Sequence, residues 1–529
     1  MPEIDMKGDK SGWLTDVLVA LSIANLLLFK VWMQLIYAGG RDLYYLPIYT
    51  WQSYFAMIIL LLALGAPFLF ALRKLRTSEG VLIRLISIAT LAVYASLLIY
   101  NVILMFVVFG FPTGIVVWTI NVLKGSFNVI FVFLLILLCC FGFLAIYFRR
   151  ALVVAVYVAL LIFSPLALLN VAHATYEYVA LALKPPATFE KLETVKKHTD
   201  NDSRGKTILL IFDGFDYRIA FEKMAGGELK NLDYLKRNSL FFTTVASIFW
   251  YTQDAIPSLV TGHRVKAGYK LGELYSPYDL GLIFEHGSGV TSWRETETLF
   301  SKFSEEGYSV ALIGAYHAYC TVFRGLVDYC KSYSSIDSVE IAPSSSVFQS
   351  LVKQAFGITP FSFFRILNFI EVHKEQERQT IEAATNDVLD FVYAHFFVPH
   401  RPYIYDRASG LLTISDVVKR RIKGIDGEYI DNLQLVDITL GKIIDKMKEE
   451  NVWDTSTLIV TSDHHFRTDN PHDIPSKIPL LVKLPMQNKM HVSDARLSLL
   501  HIKPMIEKIV FDGISDPVEL SREFENSGE

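Results

Sequence analysis

Two apolar runs in this chain end in side chains that bind metal ions. TILLIFDGF, residues 207–215, delivers Asp213, and LIVTSDHH, residues 458–465, delivers Asp463, His464 and His465. Between them lies the hydroxyl-bearing stretch FFTTVASIFWYTQDAIPSLVTGHR, residues 241–264, with Thr252 inside it. Carboxylate and imidazole ligands without cysteine suit Zn²⁺, and with more oxygen ligands Mn²⁺ or Mg²⁺. An ion held by both runs would lower the pKa of a coordinated hydroxyl, so that a threonine can attack a phosphorus centre near neutral pH. Thr252 is the candidate nucleophile. Thr243, Thr244, Ser247 and Ser258 are neighbouring hydroxyls, and capping a helix that begins near Asp254 is the alternative role for Thr252.

Three further histidines follow apolar segments. His317 reads equally as a buried core residue. His395 and His400 flank FFVP, and Arg401-Pro402 predicts a rigid turn that presents His400 rather than His395. His472 is another potential ligand, or half of a simple loop pair with Asp473. Asp213 taken alone reads as readily as a turn or cap residue. What these positions share is their place, just after a predicted strand.

Placing them there takes a parallel sheet. From Lys206 onward, short apolar runs alternate with amphipathic helical patterns, as in LFSKFSEEGYSVALIGAY and EYIDNLQLVDITLGKIIDKMKEENVWDTSTLIVTSDHH. That alternation predicts a mostly parallel, helix-covered central sheet, whose ligands gather beyond the carboxyl ends of the strands.

The N-terminal part is different in kind. The chain has 529 residues, and its mean hydropathy of +0.34 is concentrated in residues 13–172. Five stretches are long and apolar enough to span a membrane, roughly 13–37, 52–72, 82–109, 126–148 and 151–172. Lys7, Lys10, Arg73, Lys74, Arg76, Arg84, Arg149 and Arg150 fall on one side of this arrangement. The positive-inside rule makes that side cytoplasmic, and an odd number of spans puts the remainder of the chain outside. The expected organisation is a five-helix membrane domain (1–172), a juxtamembrane linker (173–206) and an extracytoplasmic domain (207–529). The apolar connection at 109–126 reads as an interfacial element or a short amphipathic helix. Pro185-Pro186 should end any helix that continues from the fifth span. Cys320 and Cys330, ten residues apart, can pair in an oxidising compartment or remain free thiols. A net charge of -4 gives no basic footprint for nucleic acid.

At these residues the chain resembles the alkaline phosphatase and sulfatase superfamily. Within it, the chain is similar to membrane-anchored phosphoethanolamine and phosphoglycerol transferases of the lipid A and lipoteichoic acid type. GYSVALIGAYH resembles the family's Gly-Tyr-x-x-x-x-x-Gly-x-x-His segment and VPHRP its His-x-Pro turn. EYIDNLQLVDITLGKII resembles the helix before the last metal strand, and VTSDHH its Asp-His pair, with His465 where the transferases usually have glycine. Sulfatases carry a formylglycine precursor two residues before a Pro-Ser pair; here Pro257-Ser258 is preceded by Ala255. The transferases carry their nucleophilic threonine five residues before a proline, which is Thr252. The resemblance implies a sulfatase-like α/β domain, with Asp213, Thr252, Asp463 and His464 as a first metal site. It implies His400 and His472 for a second metal or the substrate phosphate, and His317 for substrate contact.

Function then follows as an expectation. The resemblance implies a multi-pass protein of the cell (inner or plasma) membrane, with its catalytic domain outside the cytoplasm. It would move a phosphoethanolamine or phosphoglycerol headgroup from a membrane phospholipid donor to an envelope glycan or lipid acceptor. The alternative is a membrane-bound hydrolase of phosphodiesters or sulfuric esters. A receptor or scaffold with a degenerate domain is the non-enzymatic reading.

Overall fold

In the computed structural model, the alternating half of the chain forms one eight-stranded sheet. The structure describes residues 10–32, 35, 51–78, 80–108, 149–183, 192, 195, 205–224, 227–266, 281–286, 289–333, 346–359, 363–413, 416–467 and 476–525. In chain order the sheet strands are β1 (Thr207–Phe212), β2 (Leu240–Phe242), β3 (Val310–Ala315), β4 (Tyr329–Tyr333), β5 (Phe391–Phe396), β6 (Thr457–Thr461), β7 (Leu480–Lys483) and β8 (His491–Ser493). Their spatial order is β8-β2-β7-β6-β1-β5-β3-β4. The five strands β6, β1, β5, β3 and β4 on one side and the β8–β2 pair on the other run parallel to their neighbours, whereas β7 is antiparallel to both β6 and β2.

The central strands are apolar on both faces because both faces are covered. Ile208, Leu210 and Phe212 of β1 point into one cluster, with Leu433, Val436, Leu440 and Ile443 of the Asp416–Glu449 helix. Leu209 and Ile211 point into the opposite cluster, with Ile256 and Leu259 of the Thr252–Thr261 helix and Phe300 and Phe303 of the Leu299–Glu305 helix. This period-two division of one strand holds the sheet rigidly between two helical layers. Cys320 and Cys330 are disulfide-bonded with Cα atoms 5.5 Å apart, tying the short Tyr319–Val322 helix to edge strand β4.

The chain divides into two compact units. The first holds helices Lys10–Leu27, Trp51–Thr77, Val81–Val108, Arg149–Ile162 and Ser164–Leu183. Three helical segments among the described residues are long and apolar enough to cross a membrane: Trp51–Leu75, Val81–Val102 and Tyr157–Val179. The expected first span is a shorter apolar helix, Gly12–Leu27. The expected fourth span at 126–148, the connection at 109–126 and most of the linker lie outside the described residues.

Two boundaries differ from those expected. The last apolar segment runs to Val179 rather than ending at 172, and its helix to Leu183, just before Pro185-Pro186. Pro165 explains an interruption within it. Lacking a donor, it fits only a first helical turn, so one helix ends at Ile162 and the next starts at Ser164. Residues 346–359 group with the helical unit. Their Val347–Gly357 helix places Leu351 and Ala355, followed by Ile358, against the cluster of Tyr54, Met57 and Leu61. Gln354 donates to Ser53 O at 2.8 Å, and Asn101 Nδ2 donates to Ile358 O at 3.3 Å.

Candidate active site

Four neighbouring strands, β6, β1, β5 and β3, bring Asp463, Asp213, His400 and His317 to the same carboxyl-end edge of the sheet. Asp213 directly follows β1, and its backbone N–H donates to Phe396 O at 3.0 Å while His400 N–H donates to Asp213 O at 3.0 Å. Gly214 then turns the chain with φ +72°, a conformation that costs a side chain roughly 1–2 kcal/mol. Its N–H donates to Asp463 Oδ1 at 3.1 Å, and the His464 N–H donates to the same oxygen at 2.8 Å. Ser462 closes the junction: its hydroxyl accepts from Phe215 N–H at 2.9 Å and lies 2.8 Å from Phe212 O. Two strand ends are thus cross-bonded into one rigid cradle.

Within the cradle, ligand atoms of Asp213, Asp463 and His464 all lie within 4.8 Å of one another, and all three residues are buried. His464 Nε2 stands 3.1 Å from Asp213 Oδ1 and 3.6 Å from Asp463 Oδ2. His464 Nδ1 faces His465 O at 2.8 Å. A carbonyl only accepts, so Nδ1 carries the proton and Nε2 is the atom aimed at the carboxylates. Asp463 Oδ2 is buried with no hydrogen bond among the described residues. Burial opposes charge on His464, yet Asp463 and Asp213 outweigh it and raise the pKa. Burial likewise pushes Asp213 upward, but His400 and His464 hold its carboxyl well below the usual range. Two buried carboxylates therefore demand a cation between them, and the donor set of two carboxylates and one imidazole fits a divalent metal ion.

Thr252 is the first residue of the Thr252–Thr261 helix, and it is buried. Its carbonyl lies 3.2 Å from His317 Nε2, so that nitrogen donates and His317 holds the start of the helix. His317 follows a sharp turn at Tyr316, whose φ is +67°. Burial first, then His395, lowers the His317 pKa to about 3, while Asp213 is near enough to pull the other way. His317 is accordingly neutral, and it joins the end of β3 to the Thr252 helix. The first turn of that helix projects backbone N–H groups that favour negative charge on its opening residue. Ala255 lies one turn inside the helix, fully buried. Ser258 has a structural role, with its hydroxyl 2.6 Å from Asp254 O and accepting from Val265 N–H at 2.9 Å.

Further residues brace the site, and of these Tyr429, Asn432 and Arg467 carried no clear signal in the sequence. His465 donates from N–H to Ser247 Oγ at 3.2 Å, and its Nδ1 lies 3.0 Å from the same oxygen. Its ring meets Trp250 edge-on at 5.0 Å, so His465 ties the end of β6 to the stretch leading into Thr252. Tyr429 donates to Gly214 O at 2.8 Å and accepts from Asp216 N–H at 2.9 Å. Asn432 reaches Pro399 O, His400 O and Pro402 O at 3.2–3.4 Å while accepting from Ile404 N–H at 2.9 Å. It clamps the expected His400 turn, in which both X–Pro bonds are cis. His395 points into the interior, its Nδ1 2.8 Å from Tyr319 OH. Arg467, three residues beyond His464, lies with Nη2 2.8 Å from His400 Nε2 and 3.3 Å from His464 Nε2. His472 is outside the described residues.

Comparison with known proteins identifies the family. No curated protein matches the sequence. Solved structures similar to the chain include lipoteichoic acid synthase LtaP from Listeria monocytogenes (15% identity, 63% of this chain and 77% of that one, TM-score 0.37). Phosphonate monoester hydrolase of Agrobacterium radiobacter is similar at 14% identity, over 58% and 74% of the two chains, with a TM-score of 0.37. Ps i-CgsB in complex with k-i-k-neocarrahexaose is similar at 15% identity, over 62% and 77%, with a TM-score of 0.43. The sulfatase family model matches residues 207–506, more than half of the chain and the whole of the sheet that gathers Asp213, Asp463 and His464, so this chain belongs to the sulfatase family.

Proposed function

We propose that this chain is a membrane-anchored, metal-dependent transferase of substituted phosphate groups, with Thr252 as its nucleophile. The observation that carries the reading is the buried convergence of Asp213, Asp463 and His464 at the sheet edge where His317 bonds the carbonyl of Thr252. Asp213, Asp463 and His464 would hold the ion, with Thr252 completing the set. When bound, the ion supplies a lowered hydroxyl pKa and charge neutralisation on the transferring group.

Thr252 Oγ attacks the phosphorus of a phospholipid headgroup diester. The bond to diacylglycerol breaks, the diacylglycerol oxygen takes up a proton, and the headgroup phosphate remains esterified to Thr252. The helix N-terminus stabilises that anionic phosphothreonine. An acceptor hydroxyl on a glycan or lipid then attacks the same phosphorus, and its proton returns to Thr252 Oγ. Three helical segments apolar enough to cross a membrane suit a lipid donor, phosphatidylethanolamine or phosphatidylglycerol. The Cys320–Cys330 disulfide suits a catalytic unit outside the cytoplasm.

Membership of the sulfatase family favours a second reading, a hydrolase in which water replaces the acceptor. Ala255 argues against its formylglycine form, because a buried methyl group offers no precursor. The deciding experiment incubates the full-length, detergent-purified protein with headgroup-labelled phosphatidylethanolamine or phosphatidylglycerol. Mass spectrometry then searches for label on Thr252 and on an added envelope glycolipid. The transferase reading expects both, and free headgroup phosphate alone indicates hydrolysis. Undiminished turnover in Thr252→Ala would remove Thr252 from its role.

A further inference from the structure

We propose that the helical unit carries a lipid site of its own, a buried polar seam along the Val347–Gly357 helix that takes a lipid whose polar end donates hydrogen bonds. The proposal rests on the reading of the chain as an enzyme that consumes a membrane phospholipid.

The seam follows one row of that helix. Ser350, Gln354 and Ile358 are spaced four residues apart, so they stand one above another on the same face. Gln354 Nε2 donates to Ser53 O at 2.8 Å, at the start of the Trp51–Thr77 helix. Asn101 Nδ2, on the Val81–Val108 helix, donates to Leu97 O at 2.9 Å and to Ile358 O at 3.3 Å. Carbonyl oxygens only accept, so these contacts settle which end of each amide is the nitrogen. The other ends, Gln354 Oε1 and Asn101 Oδ1, are buried without a hydrogen bond, as are Ser350 Oγ and Gln52 Oε1, the latter beside Ser53. Trp32 Nε1 is a fifth such atom; its ring shares an apolar cluster with Ile358, and the Phe29–Trp32 helix packs against the Val347–Gly357 helix.

Among the described residues of the helical unit, no other buried side-chain nitrogen or oxygen is without a hydrogen bond. All five belong to the helices that meet at this row. Buried polar groups are normally partnered, and the bilayer core offers them no bulk water. Three of the five are amide oxygens, which only accept, against one indole N–H and one hydroxyl. The occupant must therefore bring more donors than acceptors. The ammonium of phosphatidylethanolamine and the hydroxyls of phosphatidylglycerol or diacylglycerol meet that demand. The quaternary ammonium of phosphatidylcholine, which has no N–H, does not.

The depth of the seam favours a lipid over water molecules alone. Trp51 and Phe55 meet Tyr178 with ring centroids 5.9 and 5.4 Å away, at the start of one apolar span and the end of another. Aromatic rings in that position sit at the membrane interface. Arg73, Lys74 and Arg76 mark the opposite end of the Trp51–Thr77 helix, so the positive-inside rule turns the seam toward the outer leaflet. Phe348, 75% exposed on the Val347–Gly357 helix, leaves a phenyl ring free to meet acyl chains.

The test uses the full-length Thr252→Ala protein in detergent, so that bound lipid is not consumed. It is titrated with phosphatidylethanolamine, phosphatidylglycerol, diacylglycerol and phosphatidylcholine of matched acyl chains, and native mass spectrometry reads the lipid bound per chain. At least one donor-bearing lipid should bind roughly 10-fold more tightly than phosphatidylcholine, the worth of one hydrogen bond, and the tightest of the three identifies the headgroup. Ser350→Ala removes a hydroxyl with little change of shape and should cut that preference at least about 3-fold; Gln354→Leu should abolish it. In lipid-free detergent Ser350→Ala should melt no lower than its parent, because it removes an unpartnered hydroxyl, which shows that its lost preference is not lost folding. Equal binding of phosphatidylcholine, or a preference that both variants keep, overturns the inference and leaves the seam a structural one bridged by water. Labelling of Thr252 in wild type is read separately. Labelling without a seam preference removes only this inference, and a seam preference without labelling removes only the transferase reading.

Discussion

Asp463→Asn separates the metal role of the cradle from its structural role. The substitution preserves Oδ1, which accepts from Gly214 N–H at 3.1 Å and from His464 N–H at 2.8 Å. It replaces Oδ2, a buried atom without a hydrogen bond among the described residues, by an amide that can donate toward His464 Nε2 3.6 Å away. It also removes one of two like charges from a buried site. The metal-free fold should therefore be as stable as wild type or slightly more so, while metal binding loses an anionic ligand. At a free ion concentration of about 1,000 times the dissociation constant, binding stabilises wild type by about 4 kcal/mol. For a unit of this size that corresponds to a rise in melting temperature of about 10 °C. Thermal unfolding of the full-length protein in detergent, with chelator and then with added Zn²⁺ or Mn²⁺, reads both halves. Wild type should gain the full shift and Asp463→Asn little of it. An equal gain in the variant, or wild type indifferent to every divalent ion, would refute the assignment.

Other perturbations test the supporting shell. Asn432→Leu removes the clamp on the His400 turn; turnover should fall at least about 10-fold and stability by about 2–3 kcal/mol, with ion content unchanged by elemental analysis. Gly314→Ala would put a Cβ 2.2 Å from Tyr319 Cε2, moving the ring whose hydroxyl meets His395. A loss of about 3 kcal/mol by thermal unfolding is expected, and a neutral result would show that Tyr319 relocates freely. His373 supplies a pH test away from the metal ligands: burial lowers its pKa to about 3, against an ordinary 6.5. The fold favours the neutral ring, so this stabilisation is complete above pH 6.5 and is lost as pH falls toward 3. At about pH 4.5 wild type should have lost about 3 kcal/mol that His373→Gln does not lose, visible as a shallower pH dependence of melting in the variant.

How much of this was legible depended on whether a residue's role is local. Asp213, Asp463 and His464 announce themselves because a strand, a turn and a ligand are consecutive in sequence, and strand ends in a parallel sheet must converge. The same logic located His400 over His395. Strand alternation sends His395 inward, while the turn after β5 presents His400. Tyr429, Asn432 and Asp437 were visible only as a familiar helix, because their bonds join positions hundreds of residues apart. Asp437, for instance, accepts from Asn231 and Leu232 N–H at the start of another helix. The membrane boundaries slipped for a different reason. Hydropathy measures composition, so it could not foresee that Pro165 divides one apolar run, or that 346–359 joins the helical unit through Leu351, Ala355 and Ile358.

Arg467 shows why a ligand-bearing motif is harder to read than its ligands. In sequence it is one more cation after Asp463-His464, indistinguishable from a solvated loop residue. Its meaning depends on His400, whose proton is pinned by Arg401 O and whose other nitrogen must therefore accept. The histidine expected to serve a metal or the substrate phosphate accepts a hydrogen bond from that arginine. The pair is therefore readable only in three dimensions, because the turn after β5 and the loop after β6 meet at one sheet edge.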